Sequence, residues 1–147
     1  ATPLAEILPG VFVGARLDDG EAEAFAAAHP RLLALDLTGD FDEAGPLRAG
    51  DYVNLQIMDL TSPPPRALRD AAVRIEAAVQ QGRPVLVHCA LGYSRSACVM
   101  ASWLATTGRA RSIQEAIERI RVVRPGIVVA PKSLAMLADA RLAEEAT

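Results

Sequence analysis

PVLVHCALGYSRSACVMASWLATTG, residues 84–108, decides how this chain folds. Pro84 to His88 is an unbroken apolar run of strand length, and Ser96 to Thr107 is a longer apolar stretch of helical length that Gly108 terminates. Between them lies a loop of small residues. Strand, loop and helix in that order put the loop at a helix N-terminus, outside the carboxyl end of a strand, where open α/β sheets bind their ligands.

Outward from this unit the pattern alternates. Upstream, Arg66 to Gln81 carries Leu68, Ala72, Ile75 and Val79 at helical spacing, with Gly82 at its C-terminus and the break Ser62-Pro63-Pro64-Pro65 before it. Arg31–Leu37 (RLLALDL) and Tyr52–Met58 (YVNLQIM) read as strands, joined by the Gly- and Asp-rich segment 39–50. Ile7-Leu8 and Val11-Phe12-Val13 flank the turn Pro9-Gly10, and Asp18 or Asp19 caps a helix through Ala28 that Pro30 stops. Downstream, Ser112-Ile113-Gln114-Glu115 is a capping-box pattern opening a helix to Val123, broken at Pro125, and a last helix is expected from Pro131 to Ala143. Crossover helices between apolar strands predict an α/β fold: a mixed, largely parallel central sheet of four to five strands flanked by helices.

At 147 residues, 51% hydrophobic and 22% charged, without an internal repeat, the chain is expected to form one domain over residues 1–147. A formal charge of −3 argues against nucleic acid, which requires a positive field able to neutralise several phosphates. No apolar run approaches membrane-spanning length, and no basic-then-apolar leader is visible. With only Cys89 and Cys98 for thiols, this predicts a cytoplasmic protein in a reducing compartment. His29 and His88, the only histidines, lie in no metal-ligand spacing, so neither metal nor cofactor is expected.

The chemistry resides in His88-Cys89-Ala90-Leu91-Gly92-Tyr93-Ser94-Arg95-Ser96. A loop entering a helix offers unpaired backbone N–H groups with the positive end of the helix dipole behind them, which is an anion site before any side chain is counted. Five residues separate Cys89 from Arg95, enough for the turn to wrap one tetrahedral phosphate with the sulfur beneath it and the guanidinium alongside. Gly92 lets amides point inward. A thiol of ordinary pKa near ~8.5 becomes thiolate in such a field, and only the thiolate is a nucleophile. For an arbitrary cysteine the simpler reading is core packing; His-Cys followed five residues later by Arg arises by chance in on the order of one chain in a thousand of this length.

These residues resemble the protein tyrosine phosphatase superfamily, and HCALGYSRS is similar to the His-Cys-x-x-Gly-x-Ser-Arg-Ser/Thr loop of its dual-specificity branch. ILPGVFVG resembles that branch's first hairpin, LLALDL its next strand, and IERIRVVRP the late helix ending in Arg-Pro. The resemblance implies a hydrolase that removes phosphate from phosphotyrosine and phosphoserine or phosphothreonine through a phosphocysteine intermediate. It makes Cys89 the nucleophile, Arg95 the phosphate and transition-state clamp, and the amides of Ala90, Leu91, Gly92, Tyr93, Ser94 and Arg95 the cradle. Ser96 would hydrogen-bond the sulfur and ease its departure, and His88 would support the loop and help depress the thiol pKa.

The departing oxygen needs a proton donor. Asp59 is the candidate, because it directly follows YVNLQIM, about thirty residues before the cysteine, where similar phosphatases carry their acid. Asp36, Asp40, Asp42 and Asp51 are its rivals, and a helix cap or solvated carboxylate is the alternative role for Asp59 itself. Arg124 is either a second anion contact or a partner for a helix C-terminus. Cys98, Met100, Trp103 and Leu104 are expected in the core, with a redox pairing of Cys98 and Cys89 as the alternative for the former. Tyr93 either lines the pocket mouth or faces water. Pro131-Lys132 and Leu134 depart from the Pro-Asn and later aromatic frequent in relatives.

Members of the superfamily that act on inositol lipids usually carry basic residues inside the loop, whereas the variable positions here are Ala90, Leu91 and Tyr93. The expected substrate is therefore a phosphorylated protein or a small phosphomonoester, acted on by a monomer. Arg16 or Arg124 could supply charge from other loops, which keeps a lipid, inositol or sugar phosphate as the alternative. A non-catalytic phosphoprotein-binding module is the remaining alternative, against which the presence of both Cys89 and Arg95 counts.

Overall fold

A computed structural model describes residues 4–37, 51–55, 65–89, 94–127 and 129. Among the described residues nine elements follow one another: β1 (Leu4–Leu8), β2 (Val11–Ala15), α1 (Asp19–Ala28), β3 (Leu33–Asp36), β4 (Asp51–Asn54), α2 (Pro65–Gln80), β5 (Val85–Cys89), α3 (Arg95–Thr106) and α4 (Ile113–Val123). The five strands form one sheet in the order β1-β2-β5-β3-β4. Only β1 runs antiparallel to its neighbour, so the sheet is mixed and largely parallel, as the alternation of elements predicts.

The strand that comes last in the sequence therefore lies in the middle. β5 inserts between β2 and β3, with Val11 opposite Val85 on one side and Leu33 opposite Val85 on the other. All five residues of VLVHC are consequently buried, as expected for a parallel strand covered on both faces. Leu33, Leu35, Leu37, Val85, Val87 and Cys89 face the large core with α2, α3 and α4, while Leu86 joins Leu17, Ala22 and Leu32 in a smaller core beside α1.

Local signals hold the frame. The β1–β2 turn uses Gly10 at φ +82°, a left-handed conformation in which glycine avoids a Cβ clash. Its amide donates to Glu6 Oε2 at 2.9 Å, and its carbonyl accepts from Val85 N at 2.8 Å, which ties the hairpin to the start of β5. Asp18 caps α1 in a complete capping box with Glu21, the two bonds being 2.7 and 3.0 Å. Along α2, Leu68, Ala72 and Ile75 are buried and Val79 packs against them, confirming the apolar stripe. Gly82, at φ +70°, ends this helix with Gly82 N–H to Val79 O and Arg83 N–H to Ala78 O, the paired bonds of a Schellman turn.

Three expectations need adjustment. The strand predicted over residues 31–37 is Leu33–Asp36, because Leu32 N–H donates back to His29 O in a tight turn after α1. The Ser112 capping box is half formed: Ser112 Oγ accepts from Glu115 N, but the Glu115 carboxylate reaches Arg111 N–H rather than that of Ser112. The first strand begins at Leu4, ahead of the predicted Ile7, because pairing with β2 extends it. The predicted helix 131–143 and strand residues 56–58 lie outside the described residues.

Candidate active site

Cys89 is the last residue of the central strand, and Arg95 is the first residue of the helix that follows. Residues 90–93 lie outside the described residues, but both ends of the loop are defined. Cys89 Sγ lies 3.4 Å from Ser96 Oγ, with Cys89 3% and Ser96 0% exposed. The buried thiol donates in that contact. Once deprotonated it must accept, and the serine hydroxyl, which can rotate its hydrogen, then becomes the donor.

Ser94, at the N-cap, makes no side-chain capping bond, and the first amide turned inward along α3 is Cys98 N–H to Ser94 O at 2.9 Å. The earlier amides of the first turn, those of Arg95, Ser96 and Ala97, have no carbonyl within the helix to receive them. They carry the positive end of the helix dipole toward the sulfur.

Arg95 is 2% exposed, a long cation folded into the protein rather than into solvent. Its Nη1 donates to Leu37 O at 3.5 Å, and Leu37 N–H donates to His88 O at 3.0 Å. The residue that closes the loop is thus hooked to the end of β3, the strand paired with the cysteine's own. Sulfur and guanidinium are held at neighbouring strand ends.

His88 is 1% exposed and, by strand alternation, faces away from the large core that Cys89 joins. It therefore approaches the cysteine through the backbone, its side chain lying on the other face of the sheet. Cys98, Met100, Trp103 and Leu104 are all in the large core, as expected. Arg124 is the C-cap of α4, its amide bonded to Ile120 O at 2.8 Å and the residue 8% exposed. Asp59, Asp40, Asp42, Ala90, Leu91, Gly92 and Tyr93 fall outside the described residues.

Two rivals of Asp59 lose ground by position. Asp51 begins β4, with its Cα paired to Leu33, at the opposite end of the sheet from Cys89. Asp36 is 0% exposed and accepts a 2.6 Å hydrogen bond from Tyr52 Oη, so its carboxylate is committed within the sheet. Sequence reasoning did not anticipate the Leu37 carbonyl or the Asp36–Tyr52 bond, because the first depends on β5 entering beside β3 and the second on the register of β4 against β3. Arg16 was foreseen only as a residue from another loop; it directly follows Ala15, the Cα partner of Cys89.

Among the described residues, no helix is long and apolar enough to cross a membrane. Compared with known proteins, residues 34–142 match the family model described as dual specificity phosphatase, catalytic domain. Among solved structures, PTPMT1 in complex with PI(5)P is similar at a TM-score of 0.88 and 21% identity, over 99% of this chain and 98% of that one. A mouse putative dual specificity phosphatase complexed with zinc tungstate gives 0.83 and 21%, over 99% and 91% of the two chains. Human DUSP28 gives 0.77 and 22%, over 99% and 97%.

Proposed function

The chain belongs to the dual specificity phosphatase catalytic-domain family, and from that premise we propose that it is a cysteine-dependent, metal-free phosphomonoester hydrolase acting on phosphotyrosine and phosphoserine or phosphothreonine. The observation that carries this reading is the buried Cys89 Sγ at 3.4 Å from Ser96 Oγ, at a helix N-terminus that Ser94 leaves without a side-chain cap. A structural cysteine needs neither a hydroxyl poised on its sulfur nor open amides beside it.

In this mechanism the Cys89 thiolate attacks phosphorus, and the phosphorus–oxygen bond to the leaving group breaks as the acid, Asp59, gives its proton to the departing oxygen. Arg95 spans two phosphoryl oxygens and favours the transition state, where charge is spread over them. Asp59 then takes a proton from water as the water attacks the cysteinyl phosphate. The sulfur leaves as thiolate while Ser96 donates to it. The enzyme is proposed to work as a monomer in the cytoplasm, as one catalytic domain.

The uncharged loop positions Ala90, Leu91 and Tyr93 support a singly phosphorylated substrate. The likeness to a structure of PTPMT1 holding PI(5)P supports a second reading, the same chemistry on a phosphorylated lipid. Parallel assays with phosphopeptides, inositol lipids and phosphatidylglycerol phosphate separate the two. Turnover of an aryl phosphate in the presence of chelator, lost in Cys89→Ser, is the expected result; strict metal dependence, or activity that survives Cys89→Ser, overturns the mechanism.

A further inference from the structure

Small residues meet where α2 packs on α3, and a cavity of about 200 Å³ opens between the two helices. Ala72, Val73, Glu76 and Ala77 reach it from one face of α2, and Ser102 and Thr106 from consecutive turns of α3. Ser102 stands seven positions after Arg95 on the same helix, roughly 10 Å along its axis. No side chain in this groove takes part in the reaction proposed for Cys89.

The walls are mainly apolar. Ala72 and Ala77 offer only a methyl group, and Val73, at 58% exposure, is a large apolar side chain left in water at the edge. An apolar protein cavity of roughly 150 Å³ accepts benzene. The space here therefore suits one substituted six-membered ring.

One polar group inside it is unmatched. Ser102 is 2% exposed, and its Oγ has no hydrogen-bond partner among the described residues. A buried hydroxyl in that condition is costly and uncommon. Its polar neighbours are satisfied: Thr106 Oγ1 donates to Ser102 O at 2.7 Å and Thr107 Oγ1 to Trp103 O at 2.6 Å. Glu76 Oε1 accepts from Trp103 Nε1 and Arg109 Nη1, and its Oε2 accepts from Gln80 Nε2 at 2.7 Å. Arg69, which also lines the groove, is itself already engaged.

We propose that this groove is a binding site for a small uncharged ring bearing a hydroxyl group, with the ring against Ala72, Val73 and Ala77 and the hydroxyl bonded to Ser102 Oγ. Charge on the ligand is disfavoured from both sides. An anion would face the Glu76 carboxylate, and a cation would find that carboxylate already paired with Arg109 at 2.7 Å. Two hydroxyls suit each other because each both donates and accepts.

Trp103, the chain's single tryptophan, reports on the groove through its bond to Glu76. Phenol is the probe, and toluene, of nearly the same shape without the hydroxyl, is its control. Each is titrated into the intact protein, with Trp103 emission and backbone amide NMR shifts as the readouts. Both are repeated on Ser102→Ala and Ala77→Leu, each first checked for cooperative melting.

The expected result is that phenol moves the amides of Ala77, Ser102 and Thr106 and changes Trp103 emission. In Ser102→Ala the ratio of phenol to toluene affinity falls about 5-fold, the worth of one hydrogen bond. Ala77→Leu places bulk in the groove from an exposed helical position that favours leucine, and weakens both ligands by roughly 10-fold or more. That variant carries the test if Ser102→Ala does not fold. Amide shifts that are absent, or confined to the cysteine loop, overturn the inference. So does an unchanged affinity ratio in Ser102→Ala, or undiminished binding in Ala77→Leu.

Discussion

The two ends of α3 are built to different standards. At its C-terminus polar groups are matched at short distance: Thr106 Oγ1 donates to Ser102 O at 2.7 Å and Thr107 Oγ1 to Trp103 O at 2.6 Å. Just beyond, Glu76 accepts from Trp103 Nε1 at 3.0 Å and from Arg109 Nη1 at 2.7 Å, and the Arg109 guanidinium lies 4.5 Å over the Trp103 ring. Arg119 Nη1 donates to Arg109 O, which brings α4 into the same network. At the N-terminus Ser94 makes no side-chain cap, and a buried thiol sits against a buried hydroxyl. One end uses its polar groups to join α2, α3 and α4; the other has no side-chain cap and sets a thiol against a hydroxyl.

If the ends divide the work in this way, substitutions at each should move different observables. The largest effect belongs to Cys89→Ser, which should lower kcat for an aryl phosphate by about 10⁴-fold or more, while vanadate binding followed by calorimetry persists. Arg95→Lys keeps the charge but loses the fork, and should lower kcat/KM by roughly 10²- to 10³-fold in steady-state assays. Comparable loss of melting temperature in either variant would break the comparison, because it would make the N-terminal residues structural.

Asp59→Asn sharpens it. Loss of a general acid costs roughly 10²- to 10⁴-fold where the leaving group needs its proton, so an alkyl phosphate should suffer far more than an activated aryl phosphate when both are measured on one preparation. Equal losses would assign the acid elsewhere.

The smallest catalytic effect is expected at the other end. Glu76→Gln should lower stability by about 1–3 kcal/mol, read as a drop in melting temperature of roughly 2–4 °C per kcal/mol, with kcat retained. Burial alone would raise the Glu76 carboxyl, but hydrogen bonds from Gln80, Arg109 and Trp103, with the Arg109 charge, outweigh it and hold the pKa below 4.5. The group binds protons less readily when folded, so its contribution is present above the unfolded value and is lost as pH falls through the lowered one. Denaturant melts below about pH 4.5 should therefore show the wild type losing more of its advantage than Glu76→Gln does.

The same contrast explains what the sequence disclosed. The loop end was legible because its chemistry is local: Cys89 and Arg95 stand six positions apart in one strand–loop–helix unit, and the apolar runs on either side place them. The stripe of α2 and the break at Gly82 were legible for the same reason. The Trp103–Glu76–Arg109 network joins residues 27 and 33 positions apart, and the Arg95–Leu37 bond spans 58. Such contacts depend on which strands and helices become neighbours, an arrangement that hydrophobic periodicity does not encode. Asp36 illustrates the limit, reading as a strand-end carboxylate and rival acid until Tyr52 and His88 are brought beside it by register.

The claim on which the account turns is that phosphate passes through sulfur. Rapid acid quench of the wild-type enzyme turning over an aryl phosphate, followed by peptide mapping, tests it most directly. A phosphoryl group recovered on Cys89, and absent in Cys89→Ser, is the predicted result. Turnover that proceeds with label on another residue, or on none while Cys89→Ser remains active, would contradict it.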